Sequence, residues 1–175
     1  MSKDTFEVFK PLHIAVLTVS DTRTQREDRS GDALVERLQT AGHVLAARRV
    51  VRDEVVSIQV CLREWIGDAE IDVILGTGGT GVTGRDVTPE AFLGVIEKEL
   101  PGFGELFRSL SYAKIGTAAM LSRALGGVSG DKFLFALPGS VHAVQQAWDE
   151  ILVHQLDSRT RPGNLVILMP RLNER

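Results

Sequence analysis

Four glycines fall within the six residues Gly76-Thr77-Gly78-Gly79-Thr80-Gly81, directly after the apolar run Val73-Ile74-Leu75 and shortly before Thr88-Pro89-Glu90. This juxtaposition constrains the fold more than any other stretch of the chain. An apolar run closed by glycines reads as a buried strand that turns sharply, and residues without a Cβ let backbone N–H groups approach an anion. Thr88 can then cap a helix whose first residue is Pro89, where the missing N–H costs nothing. Phe92, Val95, Ile96 and Leu100 continue at helical spacing. The expectation is one strand, loop and helix in sequence, with the positive end of the helix facing the loop.

The same alternation extends in both directions. His13 to Val19 reads as a central strand ended by Ser20-Asp21-Thr22, and residues 23–29 as a charged, mobile stretch. Ser30 is placed to cap a helix carrying Ala33, Leu34, Val35, Leu38 and Ala41, which Gly42 stops. A strand from His43 to Val51 follows, then Asp53-Glu54 and a helix marked by Ile58, Leu62, Trp65 and Ile66. Beyond Pro101-Gly102-Phe103-Gly104 the pattern predicts a helix to about Ser109, a loop through Tyr112 and Lys114, and a weaker helix from Thr117 to Leu125. Phe133 to Leu137 reads as a short buried strand closed by Pro138-Gly139-Ser140. A long helix with Val144, Ala147, Trp148, Ile151 and Leu156 on its apolar side comes next, and then a tail with an apolar stretch from Leu165 to Met169.

Strands and helices alternating at these lengths imply an α/β fold, a three-layer, doubly wound, mostly parallel sheet with helices on both faces. Residues 1–10 read as an N-terminal arm and 11–175 as a single domain. In such sheets ligands bind beyond the carboxyl ends of the strands. Ser20-Asp21, Asp53-Glu54, the loop from Gly76 to Gly81 and Pro138-Gly139-Ser140 all fall at that edge.

Several function classes are disfavoured. Lys and Arg number 20 against 23 Asp and Glu, a formal net charge of −3 with no basic run, so nucleic acid is not an expected partner. Cys61 is the one cysteine and sits among Ile58, Leu62 and Trp65, which suits a small buried thiol better than a reactive or metal-bound one. No apolar run approaches membrane-spanning length and the N-terminus lacks a leader pattern, so a cytoplasmic protein is expected. His13, His43 and His154 show no metal-ligand spacing.

Gly76, Gly78 and Gly81 satisfy a dinucleotide-binding pattern literally, yet six residues intervene before Thr88, and Glu97 and Glu99 are expected inside the helix rather than at the end of a next strand. The same spacing approximates a P-loop, but Val82 and Thr83 stand where Lys and Ser or Thr are needed. Asp53 and Asp86 are the carboxylates placed for chemical work. Asp86 reads equally as a residue that fixes the loop before a helix, and Asp53 and Asp21 as turn or cap residues. Ser140 reads as a helix cap whose neighbouring N–H groups also suit an anion.

Taken in order, Thr18-Val19-Ser20-Asp21, the loop from Gly76 to Gly81, Arg85-Asp86-Val87-Thr88-Pro89-Glu90, Pro101-Gly102-Phe103-Gly104-Glu105 and Leu137-Pro138-Gly139-Ser140 resemble the MoaB/MogA family of molybdenum cofactor biosynthesis proteins. Ser122-Arg123-Ala124-Leu125 and the stretch from Gln155 to Pro162 resemble its MoaB branch. The resemblance implies a molybdopterin-binding protein that transfers AMP from ATP to the terminal phosphate of molybdopterin with Mg²⁺. A non-catalytic pterin-binding or carrier protein of the same fold is the second reading. It also implies Asp53 and Asp86 as the functional acids and Mg²⁺ holders. Ser20, Asp21, Gly76, Thr77, Gly78, Gly79, Thr80, Gly81, Pro138, Gly139 and Ser140 would line the substrate and nucleotide site. A homo-oligomer, trimeric or hexameric, is implied as well.

Overall fold

A computed structural model describes residues 8–22 and 25–174. Its centre is a six-stranded sheet in the order β2-β1-β3-β6-β5-β4. Strands β1 (His13–Val19), β2 (Val44–Val51), β3 (Val73–Thr77) and β6 (Lys132–Leu137) run parallel. The two remaining strands, β4 (Lys98–Glu99) and β5 (Leu125–Ser129), extend the β6 side antiparallel.

The period of two along each inner strand divides the core into two layers. Ile14 and Val16, Val73 and Leu75, and Phe133, Phe135 and Leu137 face one side. There they meet α1 (Arg29–Thr40), α4 (Pro101–Ile115) and the C-terminal helix. Ala15, Leu17, Val19, Ile74, Leu134 and Ala136 face the other side, against α2 (Val55–Ile66) and α3 (Thr88–Leu93). Cys61 lies in this second layer, where burial pushes its thiol up to about 11. Among the described residues no helix is long and apolar enough to cross a membrane.

The three-layer, mostly parallel architecture therefore stands as expected, with local corrections. Asp28, not Ser30, caps α1: its carboxylate accepts the Gly31 N–H at 2.9 Å. It is fully buried against the Thr18 hydroxyl (2.7 Å) and Arg48 (2.9 Å). The stretch expected to be mobile thus contains a 3₁₀ turn at Gln25–Glu27 and an anchored acid; Arg23 and Thr24 lie outside the described residues. Thr88 is the first residue of α3 rather than its cap, and α3 ends at Leu93, since Gly94 closes it and Glu99 already belongs to β4. Next, α4 starts at Pro101 and runs unbroken to Ile115, absorbing the expected loop at Tyr112 and Lys114. A 3₁₀ turn, Gly116–Leu121, and then β5 replace the helix expected from Thr117 to Leu125. The C-terminal helix is α5 (Val141–Ala147), a π turn (Trp148–Leu152) and α6 (Val153–Gln155). Of the expected arm, residues 1–7 lie outside the described set. Val8 and Lys10 bond the Ser158 hydroxyl at 2.8 and 3.0 Å, and Phe9 packs on His43 and under Arg159.

Register decides where the loops emerge. Thr18 is level with Val50 and Thr77, and Thr77 with Leu137. The four parallel strands end together, so the residues after Val19, Val51, Thr77 and Leu137 come out along one edge.

Candidate functional site

Those exits form a cleft of about 640 Å³. Ser20, Asp21, Asp53, Gly78, Gly79, Thr80, Gly81, Asp86, Pro138, Gly139 and Ser140 line it, joined by Leu121 and Ser122. Gly76 and Thr77 do not. They belong to β3 and are buried, and the reason is packing: a Cβ on Gly76 would stand 2.5 Å from the Phe92 ring, while the Thr77 hydroxyl donates to the Pro138 carbonyl at 2.9 Å.

The loop itself begins at Gly78 and Gly79, whose φ values of 99° and 65° lie in the left-handed region that favours glycine. Gly78 turns under Val19, and its N–H bonds the Leu137 carbonyl at 3.0 Å. Its amide is thus used to close the loop on β6 and is not offered to a ligand. Gly79 lies against the Asp53 carboxylate and the Thr88 hydroxyl, 3.0 and 2.5 Å from where its Cβ would be. The Thr88 N–H returns to the Gly79 carbonyl at 3.0 Å, which folds the loop back to α3.

The two carboxylates sit in opposite environments. Asp53 Oδ1 is buried without a hydrogen-bond partner, as is Thr88 Oγ1 beside it. Burial pushes the Asp53 carboxyl above its ordinary value; the Val87 N–H opposes this and the charge of Asp86 adds to it. Asp86 is instead held below its ordinary value, foremost by the Thr83 hydroxyl. Burial opposes that shift, and the amides of Thr83 and Gly81 and the Arg123 charge support it. Its Oδ2 accepts the Thr83 hydroxyl at 2.7 Å and the Thr83 N–H at 2.9 Å. Asp21 is a brace: one oxygen accepts the Asp53 N–H at 3.1 Å and the other pairs with Arg85. Ser140 caps α5 by accepting the Ala143 N–H at 3.1 Å.

The donor set suits Mg²⁺. Two carboxylates face one cleft, one of them with an unpartnered, buried oxygen, and a hard ion of this kind is commonly held by one or two carboxylates together with substrate phosphates. Among the described residues no three His, Cys, Asp or Glu side chains converge to hold a metal without such help.

Sequence reasoning missed Arg123. It follows the 3₁₀ turn Gly116–Leu121, lies 42 residues from Gly81, and bonds the carbonyls of Gly81 and Asp86, both at 2.7 Å, as well as the Glu90 carboxylate. In the sequence it stands only as part of the family-like segment Ser122-Arg123-Ala124-Leu125, with no role attached, because nothing local links it to the loop.

Residues 15–158 match the family described as a probable molybdopterin binding domain. Molybdenum cofactor biosynthesis protein B of Escherichia coli (strain K12) is 44% identical over 156 residues, covering 89% of this chain and 92% of that protein. Its counterpart in Bacillus cereus is 45% identical over 148 residues, covering 84% and 88%. A crystal structure of a molybdenum cofactor biosynthesis protein B superposes with a TM-score of 0.85 at 40% identity, covering 95% of this chain and 98% of that one. The tungsten cofactor synthesizing protein MoaB from Pyrococcus furiosus does so with a TM-score of 0.78 at 34% identity, covering 94% and 99%.

Proposed function

The chain belongs to the MoaB/MogA family, that of the probable molybdopterin binding domain, and from that premise we propose that it acts in molybdenum cofactor biosynthesis by transferring AMP from ATP to the terminal phosphate of molybdopterin. The observation that carries this reading is the convergence of Asp53 and Asp86 in one cleft with the glycine loop and the Ser140 helix start.

In the transfer, a terminal phosphate oxygen of molybdopterin attacks the α-phosphorus of ATP; the new P–O bond forms as the bond to the β-phosphate oxygen breaks, and pyrophosphate leaves. The attacking oxygen is largely anionic near neutral pH, because the second ionisation of a phosphate monoester has a pKa of about 6, so no side chain need remove a proton. What the reaction requires is alignment and charge neutralisation. Mg²⁺, when bound, supplies positive charge to the phosphate oxygens. Asp53 and Asp86 would hold it, the first through its unpartnered oxygen. Gly79, Thr80 and the backbone around Gly139 and Ser140 would orient the phosphates, and Asp21 keeps the Asp53 backbone in place. A homo-oligomer is part of the same reading, supported by the exposed apolar side chains of Tyr112, Ile115, Met120 and Leu121 along α4 and its 3₁₀ extension.

Purified protein given molybdopterin, ATP and Mg²⁺ should yield adenylylated molybdopterin and pyrophosphate. Asp86→Asn should abolish transfer while molybdopterin still binds. Transfer at the wild-type rate by that variant would overturn the assignment, and binding without transfer by the wild type would favour a carrier.

A further inference from the structure

We propose that Arg123 is a positioning residue that staples the glycine loop shut and thereby sets the place of Asp86. This inference rests on the adenylyl-transfer reading above for its kinetic consequence, but not for its structural one.

Three features assign the role. First, the acceptors come from both ends of one loop. The Arg123 backbone N–H bonds the Thr80 carbonyl at 2.9 Å, Nε bonds the Gly81 carbonyl at 2.7 Å, and Nη2 bonds the Asp86 carbonyl at 2.7 Å. Between these anchors residues 82–85 are exposed. The hydrogen bonds to the carboxylate of Asp86 in turn come from within the loop, from the Thr83 hydroxyl and N–H and the Gly81 N–H. Holding the ends of the loop therefore holds the acid.

Second, the guanidinium is itself oriented. Both terminal nitrogens reach the Glu90 carboxylate on α3, and this pairing holds the Glu90 carboxyl below its ordinary value. A planar fork with five fixed donors can serve two carbonyls and a carboxylate at once, which an ammonium on a flexible stem cannot do with the same geometry.

Third, Arg123 stands behind the loop. It does not line the cleft that holds Asp53 and Asp86; it borders a second depression of about 370 Å³, with Val82, Thr83, Gly84 and Glu90, and Asp86 stands between the two, lining both. It therefore acts through the loop and not on a substrate. The exposed part of its ion pair, with Glu90 half in solvent, adds little to global stability. Its value lies in the order it imposes on the loop.

The test compares wild type with Arg123→Gln, Arg123→Lys, Glu90→Gln and the double variant Arg123→Gln/Glu90→Gln. Two readouts are taken: transfer from Mg-ATP to molybdopterin, and amide hydrogen exchange across residues 78–90. Displacing a reacting group by about 1 Å costs on the order of 100-fold, so kcat in Arg123→Gln should fall by about 10- to 100-fold. KM for molybdopterin should change by no more than about twofold, because binding of the pterin is not what is lost. Exchange should rise in residues 80–86 and stay unchanged in β1, β3 and β6. Arg123→Lys should restore only part of the rate, and the double variant should be no worse than Arg123→Gln, since Glu90 acts through Arg123. Unchanged loop exchange in Arg123→Gln overturns the proposal, and so does a rate loss accompanied by faster exchange throughout the sheet. If wild type fails to transfer AMP, the adenylyl-transfer reading falls, while loop exchange still decides whether Arg123 is the staple.

Discussion

Replacing Asp53 by Asn should stabilise the folded protein while removing activity. The carboxylate oxygen Oδ1 is buried with no hydrogen-bond partner, and Asp86 adds a second negative charge to the same cleft. An unsatisfied buried polar group costs about 1–3 kcal/mol and more when charged, so deleting the charge but keeping the shape should recover on the order of 1 kcal/mol. For a domain of this size that corresponds to a rise in Tm of about 2–4 °C. The pH dependence follows from the direction of the shift. Burial raises the folded-state pKa of Asp53 above its unfolded value, so the destabilisation is present in full at neutral pH. It diminishes as pH falls through the folded pKa and is absent below the unfolded one. Thermal unfolding followed by circular dichroism, in chelator-treated buffer at pH 7 and again in acid, should show the gain in the first condition and its loss in the second. Excess Mg²⁺ should then raise the Tm of wild type by binding the native state, and raise that of Asp53→Asn less. A lower Tm for Asp53→Asn at pH 7, or a difference that does not change with pH, would refute the reasoning.

Arg48→Leu should be costly because it leaves the fully buried Asp28 carboxylate without its cation; removing one partner of a buried pair costs about 3–5 kcal/mol. Burial alone would push the Asp28 carboxyl up, but the Thr18 hydroxyl, the Gly31 N–H and Arg48 together hold it below its ordinary value. Its contribution is therefore present above the unfolded pKa and lost as pH falls through the folded one, and urea unfolding should show the Arg48→Leu deficit shrinking in acid, not growing. In the loop, Gly78→Ala should destabilise by about 2–4 kcal/mol, since left-handed strain of about 1–3 kcal/mol adds to a Cβ placed 2.3 Å from the Val19 carbonyl oxygen. Gly79→Ala, whose φ of 65° is nearer the ordinary left-handed basin and whose Cβ meets the side chains of Thr88 and Asp53 and not backbone, should cost less; the reverse order of urea midpoints would contradict the steric account.

Local pattern carried the fold as far as local pattern decides it. β1, β3 and β6 were legible because strands buried on both faces read as continuous apolar runs. The antiparallel addition was hidden for a physical reason. Gly126 in β5 has no side chain to declare a strand because a Cβ there would stand 2.8 Å from the Phe135 ring, so the residue that pairing requires is one with low strand propensity. The cap of α1 was missed for a different reason. Ser30 and Asp28 are equally good caps by type, and the choice is made by Thr18 and Arg48, which reach Asp28 from two other elements.

The cleft shows the same division at finer scale. Its lining was readable because strand ends share an edge, so register alone brings Ser20, Asp53, Gly79 and Gly139 together. What the pattern could not reveal is that the two acids differ. Asp53 and Asp86 look alike as sequence, each following an arginine near a turn, yet one ends with an unpartnered oxygen and a raised pKa and the other with two Thr83 bonds and a lowered one. That asymmetry arises from the return of the loop: the bond from Thr88 to the Gly79 carbonyl brings α3 against Asp53, and the Arg123 clasp on the Gly81 and Asp86 carbonyls keeps Asp86 on the outer turn. An acid with one oxygen left unpartnered gains most from an incoming cation, whereas an acid whose oxygen already accepts two hydrogen bonds is fixed in place before one arrives. On the proposed Mg²⁺-dependent transfer, Asp53 should therefore be the stronger determinant of metal affinity and Asp86 of alignment. Titrating Mg²⁺ against Asp53→Asn and Asp86→Asn should show the larger loss of affinity in the former; equal losses would mean that the hydrogen bonding of the free protein does not govern the two roles.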